Sequence, residues 1–198
     1  MPNLPLYSIQ LIKQKQLQHK ANNMQQQVLE FWFKEIKPAQ WWKKDPEFDQ
    51  AIKARFLDTH NKANQGELYS WRTTPEGRLA EIIVLDQFSR NIYRDTPKSF
   101  ASDTLALVLA QEAISVKAEQ SLNDSMRSFL YMPFMHSESK AIHTVATSLF
   151  KTQDNYNFEL RHKEIIDKFG RYPHRNAILG RTSSSEEIEF LKQPGSSF

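Results

Sequence analysis

Asp86 and Arg90 sit four residues apart in the stretch LAEIIVLDQFSRNIYR, residues 79–94. On a helix they share the face that Leu79, Ile82 and Ile83 define one and two turns earlier. The i,i+4 spacing is the reach of an ion pair. A charge on an apolar face is costly unless it is paired or used. The helix is therefore expected to run from an oily environment into a polar pocket. At about 100° per residue, Gln87, Asn91 and Arg94 widen the polar sector, and Leu85, Phe88 and Ile92 fill the opposite side.

Two more helical stretches repeat the anomaly. In residues 137–150 the apolar stripe is Ile142, Val145, Ala146 and Leu149; Glu138 falls in it, and His136 lies just before. In the stretch ending at Gly170, His162 sits among Phe158, Ile165, Ile166 and Phe169. A third cluster is cationic. Arg171, His174, Arg175 and Arg181 lie on a Gly- and Pro-stiffened segment, Phe-Gly-Arg-Tyr-Pro-His-Arg-Asn at 169–176 and Leu-Gly-Arg at 179–181. Guanidinium forks beside free backbone N–H groups suit phosphate or carboxylate. Each group also has a structural alternative: a histidine bonded to a carbonyl, an internal ion pair, or an arginine capping a helix end.

Other chemistries lack their residues. There is no cysteine, hence no disulfide, thiolate metal site or cysteine nucleophile. His136, Glu138 and His143 do not form a His-Glu-x-x-His motif, and no metal is expected. The Gly-x-Ser-x-Gly elbow, the Gly-x4-Gly-Lys phosphate loop and the Gly-x-Gly-x-x-Gly dinucleotide motif are absent, and no cofactor is expected. Net charge is +3 with no Lys/Arg run of five, which makes nucleic acid an unlikely partner. Trp32, Trp41, Trp42 and Trp71 read as core and rim packing rather than a base-stacking platform, although Trp41-Trp42 next to Lys43-Lys44 could form a surface patch. No apolar stretch nears the roughly 20 residues of a membrane helix. With no signal-peptide pattern, the expected location is cytoplasmic.

The elements that must hold these residues are helical. Asp45-Pro46 and Thr74-Pro75 each pair an N-cap with proline at the first helical position, and Gly66 closes the first of these helices. Ser102-Asp103 opens a helix apolar nearly all round, which implies deep burial. Residues 28–36 form an aromatic helix ending before Pro38, and 124–132 one stopped by Pro133. Ser137 caps a helix running to about residue 152. Asn155 or Asn157 opens one that Gly170 ends, and a short turn spans 176–179. Ser184 and Glu187 make a capping box for the last helix. Nothing alternates at period two. One all-α domain of about eight helices is predicted over 24–198, preceded at 1–23 by a polar, weakly periodic extension that reads as a flexible arm or a non-native start.

The chain resembles the uncharacterised bacterial family known as domain of unknown function 924. The resemblance rests on Val-Leu-Glu-Phe-Trp-Phe at 28–33, Leu-Asp-Gln-Phe-Ser-Arg-Asn-Ile-Tyr-Arg at 85–94, Phe-Leu-Tyr-Met-Pro-Phe-Met-His-Ser-Glu at 129–138, and the segments at 169–176, 179–181 and 185–187. It implies a tetratricopeptide-like, right-handed α-α superhelix and carries no activity, substrate or catalytic residue.

The expected function is an Arg/His-rich pocket for a small anionic ligand, in a protein that could be an enzyme. Asp86, Gln87, Arg90, Asn91, Tyr131, Arg171, Arg175, Asn176 and Arg181 are the ligand-binding candidates. His136, Glu138, His162 and His174 are the candidates for proton transfer. The rival expectation is a helical scaffold that takes a protein or peptide partner in a groove.

Overall fold

A computed structural model describes residues 24–197. The extension expected at 1–23 lies outside the described residues. Within them the fold is helical with no strand. Helix α1 (24–30) runs into a π-helical turn, Phe31–Glu35. It is followed by α2 (Pro46–Asn64), α3 (Pro75–Ile83), α4 (Ser89–Ile92), α5 (Asp103–Ser115), α6 (Asp124–Met135), α7 (Lys140–Phe150), α8 (Tyr156–Phe169) and α9 (Ser185–Leu191). A second π turn, Val84–Phe88, joins α3 to α4, so the described segments make eight rods.

The helix starts follow local chemistry. Asp45 accepts from the backbone N–H of Glu47 and Phe48, and Thr74 from that of Gly77. Ser184 and Glu187 form the reciprocal capping box. At Gly170 the backbone turns left-handed (φ 70°), which glycine adopts without a Cβ penalty, and α8 ends there.

The joined rod α3–α4 is the spine of the domain. Every residue from 79 to 89 is buried. Helix α2 packs on its C-terminal half and the π turn, and α5 and α6 pack on α3. Helices α6, α7 and α8 follow as successive neighbours, and α9 meets the short 3-10 turn Pro173–Arg175. The large fully buried side chains include Trp32, Trp71, Phe56, Phe88 and Phe150. Trp32 and Trp71 are core, Trp41 is half-buried at the rim, and Trp42 is 63 % exposed.

Several boundaries differ from expectation. Helix α6 does not stop at Pro133 but continues to Met135. Proline in a helix costs about 3 kcal/mol, whereas burying Phe134 and Met135 contributes about 1.5–3 kcal/mol each, so packing carries the helix past the proline. Ser139, not Ser137, caps α7, which ends at Phe150. The turn expected at 176–179 is a 3-10 turn at Pro173–Arg175 followed by non-helical turns. Helix α5 is not buried all round: it packs through Ala106, Leu109, Ala110 and Ala113, and leaves Val108 about half exposed.

Candidate functional site

The π turn Val84–Phe88 carries Asp86 and Gln87 into the interior. Such turns widen the helix by one residue and are frequent at functional sites. Asp86 is 1 % exposed, and its carboxylate is fully engaged. His136 Nδ1 lies 2.7 Å from Oδ1, Gln87 Nε2 donates to Oδ2 at 2.6 Å, and Arg90 Nη1 lies 3.3 Å from Oδ1. The same Nη1 donates to the Asp86 carbonyl at 2.6 Å.

Arg90 then reaches α5. Its two terminal nitrogens donate to the two oxygens of Asp103 at 3.0 and 3.1 Å, a bidentate fork. Arg175, from the loop after α8, donates at 3.2 Å to Asp103 Oδ2, the oxygen that also accepts from Arg90 Nη2. Its guanidinium lies 4.6 Å from the Phe100 ring centroid and 4.5 Å from that of Tyr172. Its Nε is buried with no hydrogen-bond partner among the described residues.

Beside this ladder stands a second one. Arg181 binds both oxygens of Glu138, at 2.6 and 2.9 Å, and Tyr172 N–H donates to Glu138 at 2.7 Å. Arg181 Nε donates to Asn176, which is fully buried and donates in turn to Ser183. Three carboxylates (Asp86, Asp103, Glu138) thus face three guanidiniums (Arg90, Arg175, Arg181). The cluster carries no net charge while His136 is neutral.

Electrostatics define the protonation states. Burial alone would raise the Asp86 carboxyl, but the charges of Arg90 and His136 and the hydrogen bonds from His136 and Gln87 outweigh it and hold it well below the usual carboxylate range. Burial, reinforced by Arg90, pushes the His136 imidazole below its ordinary value against the pull of Asp86. At neutral pH the pair is therefore carboxylate and neutral imidazole, with the proton on Nδ1. Nε2 is left as a base that makes no hydrogen bond among the described residues, on a side chain 16 % exposed. Burial takes His162 down to about 3, and burial with the charge of Arg175 takes His174 down to about 4. His162 donates from Nδ1 to the Phe158 carbonyl, and its ring packs edge-on against Tyr172 at 5.7 Å.

The expected residues therefore divide. Asp86, Gln87, Arg90, His136, Glu138, Arg175, Asn176 and Arg181 belong to the two ladders, with His162 and His174 flanking Tyr172 beside them. Asn91 and Arg94 are separate: both bind Asp49 of α2, so the single sector expected on the helical wheel is divided between α2 and α5. Arg171 binds Glu187 and the Thr182 carbonyl, tying α9 to the loop. Tyr131 packs against Phe150 and feels the charges of Glu119 and Arg127 instead. The arginines expected to meet a ligand, Arg90, Arg171, Arg175 and Arg181, each already have a carboxylate of the chain.

Sequence reasoning read Asp103 only as a helix opener, yet it is the hinge between Arg90 and Arg175. It also passed over Glu81, buried on the spine and bound twice by Arg72 at 2.7 Å. Glu81 carries the same signal as Asp86, a charge within an apolar helix; Asp103 at a helix N-terminus carries none. No set of three or more His, Asp or Glu among the described residues is arranged to hold a metal ion. No helix there is long and apolar enough to cross a membrane.

A protein of unknown function from Agrobacterium tumefaciens has a similar structure, with TM-score 0.84 and 36% identity over 87% of this chain and 98% of that chain. No curated protein matches. Residues 28–195 match the family model described as bacterial protein of unknown function (DUF924). That match takes in the spine, the His136 link and the arginine loop, and the chain belongs to this family.

Proposed function

We propose that the domain binds a small anion, a carboxylate or phosphate, beside His136, and that His136 exchanges a proton with it. The observation that carries this reading is the Asp86–His136 pair: Nδ1 is held at 2.7 Å by a buried carboxylate, and Nε2 is uncommitted next to the Arg90–Asp103–Arg175 ladder. A carboxylate behind an imidazole sets its tautomer and stabilises its charged form, the arrangement of a general acid–base.

The neutral cluster adds a condition. No guanidinium in it lacks a carboxylate, so the positive charge for an incoming anion comes from protonating His136. Binding should take up one proton, and affinity should fall by up to about tenfold per pH unit above the midpoint of the free imidazole. The test is calorimetric titration with inorganic phosphate, nucleotides and small carboxylates between pH 5 and 8, in buffers of different ionisation enthalpy. One proton should be taken up per anion bound, and His136→Gln should abolish the uptake. Absence of binding across the set at pH 5, where the charged imidazole is most accessible, would overturn the proposal.

A second reading, a scaffold for a peptide partner, is favoured by Trp42. Its ring is exposed and stacked at 9° on buried Phe129, with Lys43 and Lys44 exposed beside it. An acidic, aromatic peptide suits that surface. Fluorescence titration with such a peptide should show binding that Trp42→Ala removes; equal binding by the variant would exclude the patch.

A further inference from the structure

A helix leaves its last carbonyls without donors from its own backbone. At the end of α6, three successive carbonyls are taken by side chains from later in the chain. Met135 O accepts from the Tyr172 hydroxyl at 2.5 Å, His136 O from Arg175 Nη2 at 3.1 Å, and Ser137 O from His143 Nε2 at 2.9 Å. The same His143 Nε2 lies 3.1 Å from the Tyr172 hydroxyl oxygen. Behind it, Nδ1 meets Glu159 Oε1 at 2.8 Å, and both side chains are fully buried.

Hydrogen-bond chemistry sets the roles. Ser137 O can only accept, so Nε2 of His143 carries a hydrogen. The Tyr172 proton is given to Met135 O, which leaves its oxygen free to share that Nε2–H. Nδ1 and Glu159 then share the remaining proton, as acid and neutral imidazole or as carboxylate and imidazolium. Glu159 Oε2 has no partner among the described residues, and burial raises the Glu159 carboxyl; both favour the neutral pair.

We infer that His143, backed by Glu159, is the positioning residue for His136. It holds Ser137 O directly, and through Tyr172 it steadies both Met135 O and the ring on which Arg175 lies. One buried pair thus places the imidazole and one guanidinium of the proposed anion site, 136 and 175 being far apart in sequence. The inference rests on the anion-site reading for its ligand test but not for its titration test.

The groups facing His136 are Asp86 and Arg90 from the spine and Asp103 from α5, with Arg175 on its carbonyl, while His162 of α8 and His174 of the loop after it also feel its charge. If the grip on Ser137 is lost, the ring gains solvent. Its midpoint should then climb toward the ordinary histidine value by about half a unit or more.

The test is histidine NMR titration of wild type, His143→Leu, Glu159→Ala, Glu159→Gln and Tyr172→Phe, beside phosphate titration at pH 6. The Gln amide can donate to Nδ1 as the carboxylic acid does, so Glu159→Gln should keep the wild-type His136 midpoint and bind phosphate within about twofold. His143→Leu and Glu159→Ala should shift the midpoint upward and weaken phosphate about tenfold, equivalent to about 1.4 kcal/mol. Should His143→Leu fail to fold, Glu159→Ala and Tyr172→Phe decide through the same shift. A folded His143→Leu or Glu159→Ala with the wild-type His136 midpoint would overturn the inference. Lack of binding by wild type to phosphate, nucleotides and small carboxylates at pH 5, with the midpoint shift present, would overturn the anion reading alone.

Discussion

Replacing Arg90 by alanine tests whether the ladder is a buried strut. The guanidinium makes two bonds to Asp103, one to the Asp86 carbonyl and a 3.3 Å contact with the Asp86 carboxylate. Without it, Asp103 keeps Arg175, whereas Asp86 at 1 % exposure keeps only His136 and Gln87. Breaking a buried pair from one side costs about 3–5 kcal/mol. The Arg90 side chain is 20 % exposed, so water can enter its place, which puts the loss near the lower bound, about 3 kcal/mol. For a chain of this size that is a fall in Tm of roughly 6–12 °C. The pH dependence has a definite sign. In wild type the depressed Asp86 pKa contributes stability that is present above the ordinary carboxylate value of about 3.9 and is lost as pH falls through the depressed value. Removing Arg90 leaves burial less opposed and raises that pKa, so the deficit of the variant should be largest at pH 7 and shrink toward pH 4. Denaturant unfolding of Arg90→Ala, Asp86→Asn and the double variant at pH 7 and 4 measures both effects, and the cycle at pH 7 should give a coupling of about 1–3 kcal/mol. A loss below about 1 kcal/mol that does not vary with pH would mean a solvated pair and refute the reasoning.

His162 is held neutral in the fold, at about 3, against about 6.5 when unfolded. Its contribution is complete above pH 6.5 and is lost as pH falls toward 3. His162→Gln should flatten the unfolding free energy between pH 6 and 4 by about 1.4 kcal/mol per unit; an unchanged acid slope would show that the imidazole charges in place. Gly77→Ala would set a Cβ 2.1 Å from the Trp71 carbonyl oxygen, so chemical denaturation should show a loss of about 1–3 kcal/mol or more, despite the better helix propensity of alanine. A neutral result would mean that the 69–73 turn yields freely. Ser184→Ala removes the acceptor for the Glu187 N–H and should cost about 1 kcal/mol by thermal unfolding, with no loss if α9 is held by Arg171–Glu187 alone.

Local chemistry in the chain determined where most helices begin and end. Asp45-Pro46, Thr74-Pro75, Ser184 with Glu187, and Gly170 act through hydrogen bonds and backbone angles within a few residues, so their effect is legible without knowing the fold. The burial of Asp86 was legible for a similar reason, because helical period alone sets it among Leu79, Ile82 and Ile83. Tertiary packing decided the rest. It carried α6 past Pro133, since the free energy of burying Phe134 and Met135 depends on what covers them. It divided one helical sector between two neighbours, giving Arg90 to Asp103 of α5 and Asn91 and Arg94 to Asp49 of α2. It also gave each loop arginine its carboxylate from a distant segment: Asp103 is 72 residues from Arg175, and Glu138 is 43 from Arg181. A list of charges states which groups need partners; only the meeting of helices in space assigns them, because electrostatic pairing depends on distance and burial and neither is written along the chain.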